Sequence, residues 1–297
     1  MNVGVIGLGT MGMGAAKSCI KASLSVYGGD ISDKALATLK EAGAVAVAKD
    51  AREFADKLDA LLILVVNAAQ VNTVLFAGGD DCLASKLKKG TPVMVSSTIA
   101  AAAAQDINAK LSSYGLLMLD APVSGGGVKA NIGEMTVMAA GAPETFAKLQ
   151  PVLDAVAGKV YNVGSEIGKG STVKIVHQLL AGVHIAVAAE AMAMAAKAEI
   201  PLDIMYDVVT HAAGNSWMFE NRMAHVVAGD YTPLSAVDIF VKDLGLVTDT
   251  AKELHFPIPL ASTALQMFTT ASNAGHGRED DSAVIKIFPG IELPKKD

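Results

Sequence analysis

The chain has 297 residues, 52% hydrophobic and 18% charged, with a formal charge of −6. That length suffices for two domains with substantial cores, and the sparse charge excludes a disordered chain. The acidic balance, with no Lys/Arg cluster, excludes a nucleic-acid surface. Two cysteines, Cys19 and Cys82, are too few for a disulfide framework. They fit a reducing, cytoplasmic compartment as small buried hydrophobes.

Short apolar runs alternate with amphipathic helical patterns up to about residue 163. The first strand, Asn2–Ile6, leads through a glycine turn into a helix over Met11–Lys21. Strands follow at Leu24–Tyr27, Ala60–Val66, Pro92–Ser96, Leu116–Leu119, Glu134–Ala140 and Lys159–Val163. Helices fall at Asp33–Ala42, Ala68–Phe76, Ala100–Leu111 and Pro143–Val156. Continuously apolar strands separated by helices predict a mostly parallel sheet covered on both faces. Beyond Gly164 only helices are expected: a long one over Ser171–Lys197, then Leu202–Ala212, Ser216–Val227, Ala236–Leu254 and Pro259–Asn273. The domains are therefore drawn as 1–164 and 165–297. Leu179–Met194 is nearly uncharged, but His184 and Glu190 interrupt it, so a helix buried on all sides is expected rather than a membrane span. The N-terminus lacks a basic region and does not read as a signal peptide.

The turn after the first strand reads Gly7-Leu8-Gly9-Thr10-Met11-Gly12, the G-x-G-x-x-G pattern between a strand and a helix. Gly7 permits the turn, Gly9 admits a pyrophosphate close to the backbone, and Gly12 lets the helix pack on the strand. The helix N-terminus offers N–H groups and a partial positive charge to phosphate. Asp30 follows the second strand, 21 residues beyond Gly9, where a carboxylate accepts hydrogen bonds from a ribose diol and repels a 2′-phosphate. NAD is thus expected over NADP. The fold class is α/β: a Rossmann-type doubly wound sheet, then an all-helical C-terminal domain entered by a long interdomain helix. In such sheets ligands lie at the carboxyl ends of the strands. Val66, Asn67 and Thr98 occupy such ends and join the cofactor set; capping of the next helix is the commoner role for a residue like Thr98.

Two more stretches carry chemistry. In Asp120-Ala-Pro-Val-Ser-Gly-Gly-Gly127, Ser124 and the following glycines can converge backbone N–H groups on an anion such as a carboxylate, with a flexible loop as the alternative. Gly164–Lys174 superficially suggests a phosphate loop, but Gly170 follows Lys169, so the G-x-x-x-x-G-K-[ST] spacing fails. Lys174 enters an otherwise nearly uncharged helix, with His177 and Gln178 three and four residues on, hence on its face. A desolvated lysine near other cations suits proton transfer, although most lysines reach solvent. His177 and His184 lack the carboxylate partners of a metal site, and no metal is expected.

The opening GLGTMGMGAAKSCIKAS, Asp120–Met135, GSEIGKGSTVK and Phe240-Val-Lys-Asp-Leu244 resemble, in order and over nearly the whole chain, the β-hydroxyacid dehydrogenases. That family includes 3-hydroxyisobutyrate dehydrogenase and tartronate semialdehyde reductase. The resemblance implies NAD(P)-dependent oxidation of a small hydroxy acid by a homo-oligomer, a dimer or tetramer; the acidic balance and the interrupted apolar stretch speak for no nucleic-acid or membrane partner. It assigns catalysis to Lys174, substrate binding to Ser124, Gly125 and Gly126, and cofactor contacts to Thr98 and Lys242. Many members carry paired asparagines where this chain has His177-Gln178. That pair, with Lys174–His184, Ser216–Arg222 and Tyr231–Asp243, resembles a subgroup acting on four-carbon sugar acids. The implied reaction is oxidation of the 2-hydroxyl of L-threonate to 2-dehydro-L-erythronate, with His177 and Gln178 as partners for extra hydroxyls. The alternatives are the tartronate semialdehyde and 3-hydroxyisobutyrate reactions. A non-catalytic NAD-sensing scaffold is the rival of another class, and the retained Lys174 argues against it.

Overall fold

Six parallel strands form the main sheet: β1 (Asn2–Ile6), β2 (Ser25–Gly29), β3 (Ala46–Ala48), β4 (Ala60–Ile63), β5 (Pro92–Val95) and β6 (Leu117–Asp120), in the order β3-β2-β1-β4-β5-β6. The computed structural model describes residues 1–296, and the chain divides into two compact units after Lys174. The strands are apolar on both faces because helices cover both, and Val3, Val5, Leu62, Met94 and Val95 are almost fully buried. Those helices include α1 (Thr10–Lys21), α2 (Asp33–Glu41), α3 (Ala68–Phe76), α4 (Leu83–Lys86) and α5 (Ala101–Ser113). Strand order reverses between β1 and β4, the switch point at which such sheets bind ligands.

Beyond β6 lie β7 (Val123–Ser124), α6 (Gly126–Asn131), β8 (Met135–Ala139), α7 (Pro143–Val156) and β9 (Ala157–Asn162). The expectation of one sheet is corrected here. β8 and β9 belong to a separate three-stranded sheet, with β7 antiparallel and β9 parallel to β8. An antiparallel bridge between Asp120 and Ala140 joins it to the end of β6.

Two strand ends differ from expectation for local reasons. β2 runs on through Gly28 and Gly29, which pair with Val5 and Ile6. These glycines serve space rather than a turn: a Cβ on Gly28 would lie 2.3 Å from the Leu39 side chain. β4 stops at Ile63 rather than Val66, because Asn67 caps α3 by accepting from Gln70 N–H (2.9 Å). Val66 N–H donates to the Gln70 amide oxygen (2.8 Å), which turns the chain out of the sheet.

The second unit is helical. α8 (Lys169–Lys197) begins in the first unit and continues into it, followed by α9 (Leu202–Thr210), α10 (Trp217–Ala228), α11 (Val237–Glu253) and α12 (Pro259–Ala271). Its core gathers Ile185, Ala189, Met192, Met223, Leu244 and the stacked rings of Phe240 and Phe268. Gly182 is needed at the crossing of α8 and α11, since a Cβ there would lie 2.8 Å from the Leu244 side chain. The segment entering α11 is tied down by Asp280 and Asp281. Asp280 accepts from Leu234 N–H (3.1 Å), and Asp281 N–H donates to the Ser235 carbonyl (2.8 Å). Asp281 also pairs with buried Arg222 at 2.5 Å, while burial pushes its carboxyl up to about 7.

The reading of α8 as buried on all sides is corrected. Ile185, Ala189 and Met192 face the core, whereas Val176, Leu180, Val187 and Met194 form an exposed apolar stripe. Their spacing of 4, 7 and 7 residues puts them on one side of the helix. By length and composition α8 is also one helix able to cross a membrane, with half of its most apolar stretch buried. Both cysteines are buried free thiols, and burial pushes Cys19 up to about 12.

Candidate active site

The glycine turn is built as its spacing implies. Gly7 adopts φ +89°, and a Cβ there would lie 2.6 Å from the Leu64 carbonyl oxygen. A Cβ on Gly12 would lie 1.8 Å from the Gly7 carbonyl oxygen, so only glycine lets α1 sit this close to the strand end. Gly9 is different. Its φ of −65° suits any residue, and a Cβ on it would meet nothing within 4 Å. Neither strain nor internal packing calls for glycine there, so the open space over its α-carbon fits a closely approaching phosphate. No side chain caps α1, and its first turn, with Thr10 and Met11, is therefore available to an anion. These residues fit a dinucleotide.

Asp30 has a second task that its position in the sequence did not reveal. One carboxylate oxygen accepts from Leu8 N–H at 2.6 Å and the other from Ser32 N–H at 2.8 Å. It therefore braces the glycine turn while keeping further lone pairs for a ribose diol. Ser32 caps α2 by accepting from Ala35 N–H.

Val66, Asn67 and Thr98 follow β4 and β5, so the strand order brings them to the same edge as Gly7 and Asp30. The capping role weighed for Thr98 is corrected: the N-cap of α5 is Ala100, two residues later. Of the three hydroxyl residues that follow β5, Ser96 and Ser97 are buried and Thr98 is partly exposed.

Ser124 ends β7, and Gly125 and Gly126 follow with φ of +124° and +65°. A Cβ on Gly126 would meet nothing within 4 Å, again open space beside a backbone turn. Gly127 does not belong with them. Its Cβ would lie 2.3 Å from the Thr10 side chain, so it serves the packing of α6 against the start of α1. Further along that contact Gly14 lies against Ala130, whose carbonyl accepts from the Ser18 hydroxyl at 3.0 Å. The serine–glycine loop is thereby held beside the dinucleotide turn.

Asp120 sets where α8 begins. Its carboxylate is 1% exposed and accepts from Gly168 N–H (2.9 Å), Ser171 N–H (2.9 Å) and the Ser171 hydroxyl (2.6 Å). Burial raises its carboxyl above the ordinary range, and these donors oppose the rise. A Cβ on Gly170 would lie 2.4 Å from the Asp120 carbonyl oxygen, so glycine is needed for this docking. Gly164–Gly170 is therefore a helix anchor rather than a phosphate loop. It delivers Lys174, buried at 6% exposure, on the second turn of α8. Asp120→Ala leaves these donors buried without their acceptor and should lower stability by about 3 kcal/mol. Ser171→Ala, which spares the backbone bonds, should cost about 1 kcal/mol; paired urea titrations read both.

In the second unit the remaining residues form one polar chain. The Gln178 amide donates to an Asp243 carboxylate oxygen at 2.6 Å, and its oxygen meets His177 Nδ1 at 3.0 Å. Lys242 Nζ lies 2.6 Å from the other Asp243 oxygen. The sequence reading missed Asp243, although it stands inside the Lys-Asp-Leu motif.

A profile for the NAD binding domain of 6-phosphogluconate dehydrogenase matches residues 2–164, over half the chain. A second, for the NAD-binding segment of NADP-dependent 3-hydroxyisobutyrate dehydrogenase, matches residues 168–288. The chain belongs to the 3-hydroxyisobutyrate dehydrogenase-related β-hydroxyacid dehydrogenases. It is 71% identical to L-threonate dehydrogenase of Escherichia coli K12 over 293 residues, 99% of this chain and 96% of that one. To L-threonate dehydrogenase of Cupriavidus necator it is 54% identical, covering 99% and 98%. A crystal structure of 3-hydroxyisobutyrate dehydrogenase from Salmonella typhimurium superposes with TM-score 0.93 at 68% identity, covering 97% of this chain and all of that one. As a member of this family, the chain is an NAD(P)-dependent oxidoreductase acting on a small hydroxy acid.

Proposed function

We propose that this enzyme oxidises the 2-hydroxyl of L-threonate with NAD, giving 2-dehydro-L-erythronate. The observation that carries this reading is 71% identity to L-threonate dehydrogenases along essentially the full length of both chains. Residues 1–164 are assigned to the cofactor and 165–297 to substrate and assembly; the last residue, Asp297, lies outside the described residues.

Bound NAD supplies the acceptor for the hydrogen and electron pair leaving the substrate carbon. Gly7–Gly12, Val66, Asn67, Thr98 and Lys242 hold and orient it. Backbone N–H groups of the Ser124–Gly126 loop, with the Ser124 hydroxyl, hold the substrate carboxylate. Lys174 Nζ takes the proton of the hydroxyl being oxidised, and its burial excludes water from that transfer. His177 and Gln178 bind the additional hydroxyls of a sugar acid, which need partners once desolvated. A 3-hydroxyisobutyrate reaction is the second reading, favoured by the Salmonella relative of that name. Steady-state assays of three- and four-carbon hydroxy acids, followed by NADH absorbance, separate the two. L-Threonate should give the highest kcat/KM, and preference for 3-hydroxyisobutyrate reverses the assignment.

Asp30 is the basis for choosing NAD. Asp30→Ala removes the charge facing a 2′-phosphate, so kcat/KM with NADP relative to NAD should rise at least tenfold, about 1.4 kcal/mol of discrimination. NAD turnover itself should fall, because Leu8 loses its brace. An unchanged cofactor ratio removes Asp30 from the specificity. We also assign the protein to the cytoplasm, on its free thiols, and to a dimer or tetramer built on the exposed α8 stripe. Sedimentation of Leu180→Glu against the unchanged protein tests the assembly, since a charge in the stripe should dissociate it.

A further inference from the structure

We propose that Asp243 is a positioning residue that, acting through Gln178, fixes the proton of His177 on Nδ1 and so makes Nε2 an acceptor. The assignment follows from what each atom can donate. A carboxylate only accepts, so the Gln178 group 2.6 Å from Asp243 is its NH2. The amide is then locked with its oxygen toward His177 Nδ1, 3.0 Å away. An amide oxygen also only accepts, so Nδ1 carries the hydrogen. In the neutral ring Nε2 therefore bears the lone pair, whose natural partner is an O–H donor such as a substrate hydroxyl. Asp243 is itself buried at 2% exposure, and its other oxygen lies 2.6 Å from Lys242 Nζ in an ion pair that lacks hydrogen-bond alignment.

The arrangement predicts an inversion. In Asp243→Asn the positive charge of the adjacent Lys242 ammonium attracts the single remaining oxygen and repels an NH2, so the new NH2 turns toward Gln178. Gln178 must then flip to accept, presenting its own NH2 to His177 Nδ1. That nitrogen becomes an acceptor and the proton moves to Nε2. A near-isosteric change two residues down the chain of contacts thus reverses the polarity that His177 offers.

The test is long-range ¹H–¹⁵N correlation NMR of the full chain labelled with ¹⁵N-histidine, at pH 8.5, above the ordinary histidine pKa of about 6.5. His177 is assigned by the signals lost in His177→Asn. The unchanged protein should show the Nδ1–H tautomer and Asp243→Asn the Nε2–H tautomer. An Nε2–H tautomer in the unchanged protein, or Nδ1–H retained in Asp243→Asn, overturns the proposal. Should Asp243→Asn fail to fold, Gln178→Leu cuts the link and should abolish the dominance of Nδ1–H; its persistence there is equally fatal. In kinetics, Asp243→Asn should raise KM for the hydroxy acid about tenfold with a smaller change in kcat, because a donor replaces an acceptor. An unchanged KM overturns the positioning role. That kinetic arm rests on the hydroxy-acid reading above, whereas the tautomer measurement does not. A wild-type enzyme that turns over no hydroxy acid would count against the function alone, with the tautomer result still decisive for Asp243.

Discussion

Lys174→Ala is expected to lower kcat for the hydroxy acid by about 10²–10⁴-fold, the usual contribution of a positioned acid/base. NADH affinity, measured by fluorescence titration, should be unchanged, since the glycine turn and Asp30 lie on other elements of the first unit. Stability should hold as well, because α8 is anchored to Asp120 three and six residues upstream of Lys174, at Ser171 and Gly168. Lys174→Arg separates proton transfer from charge. A guanidinium keeps the positive charge but does not deprotonate in proteins, so it should be nearly as inactive as alanine. Substantial activity in Lys174→Arg would mean that the lysine only neutralises the substrate, and near-normal activity in Lys174→Ala would remove it from the mechanism.

Gly12→Ala and Gly9→Ala should part company in stability while agreeing in function. At Gly12 a methyl would lie 1.8 Å from the Gly7 carbonyl oxygen, backbone against backbone, with no side chain able to give way. The turn or the start of α1 must shift, at a cost of about 3 kcal/mol, and NAD affinity should fall about 100-fold as the anion-binding backbone moves. At Gly9 a methyl meets no protein atom and the backbone angle suits alanine. That variant should fold as stably as the parent, or gain about 0.4–1 kcal/mol from a less flexible unfolded chain. It should still lose NAD affinity, because the methyl fills the space left for phosphate. Thermal unfolding with isothermal titration of NAD reads both effects. A Gly9→Ala variant binding NAD normally would show that the dinucleotide does not approach this turn.

Features resting on local chemistry were legible in the sequence. The strand Asn2–Ile6 and the helices Ala68–Phe76 and Pro143–Val156 have the bounds their apolar patterns imply. The glycine turn and Asp30 also stand where their spacing predicts. The missed elements depend on distant partners. α6 opens on two glycines and is only six residues long, so propensity argues against it; contacts of Gly127 with Thr10 and of Ala130 with Gly14 hold it. β3 and β7, of three and two residues, carry too little pattern to register. Asp120 and Asp243 were legible as motif letters but not as anchors, because their partners lie 48–51 and 65 residues away. The error over α8 has a similar origin: a helix apolar all round does not announce which face its own chain covers.

Oxidation at C2 of L-threonate with NAD is read from the ¹³C NMR spectrum of L-threonate incubated with the enzyme and NAD. A new ketone carbon adjacent to the carboxylate should form one for one with NADH and be absent with Lys174→Ala. A carbonyl at C3 or C4, or an unchanged spectrum under conditions where 3-hydroxyisobutyrate is consumed, would contradict it.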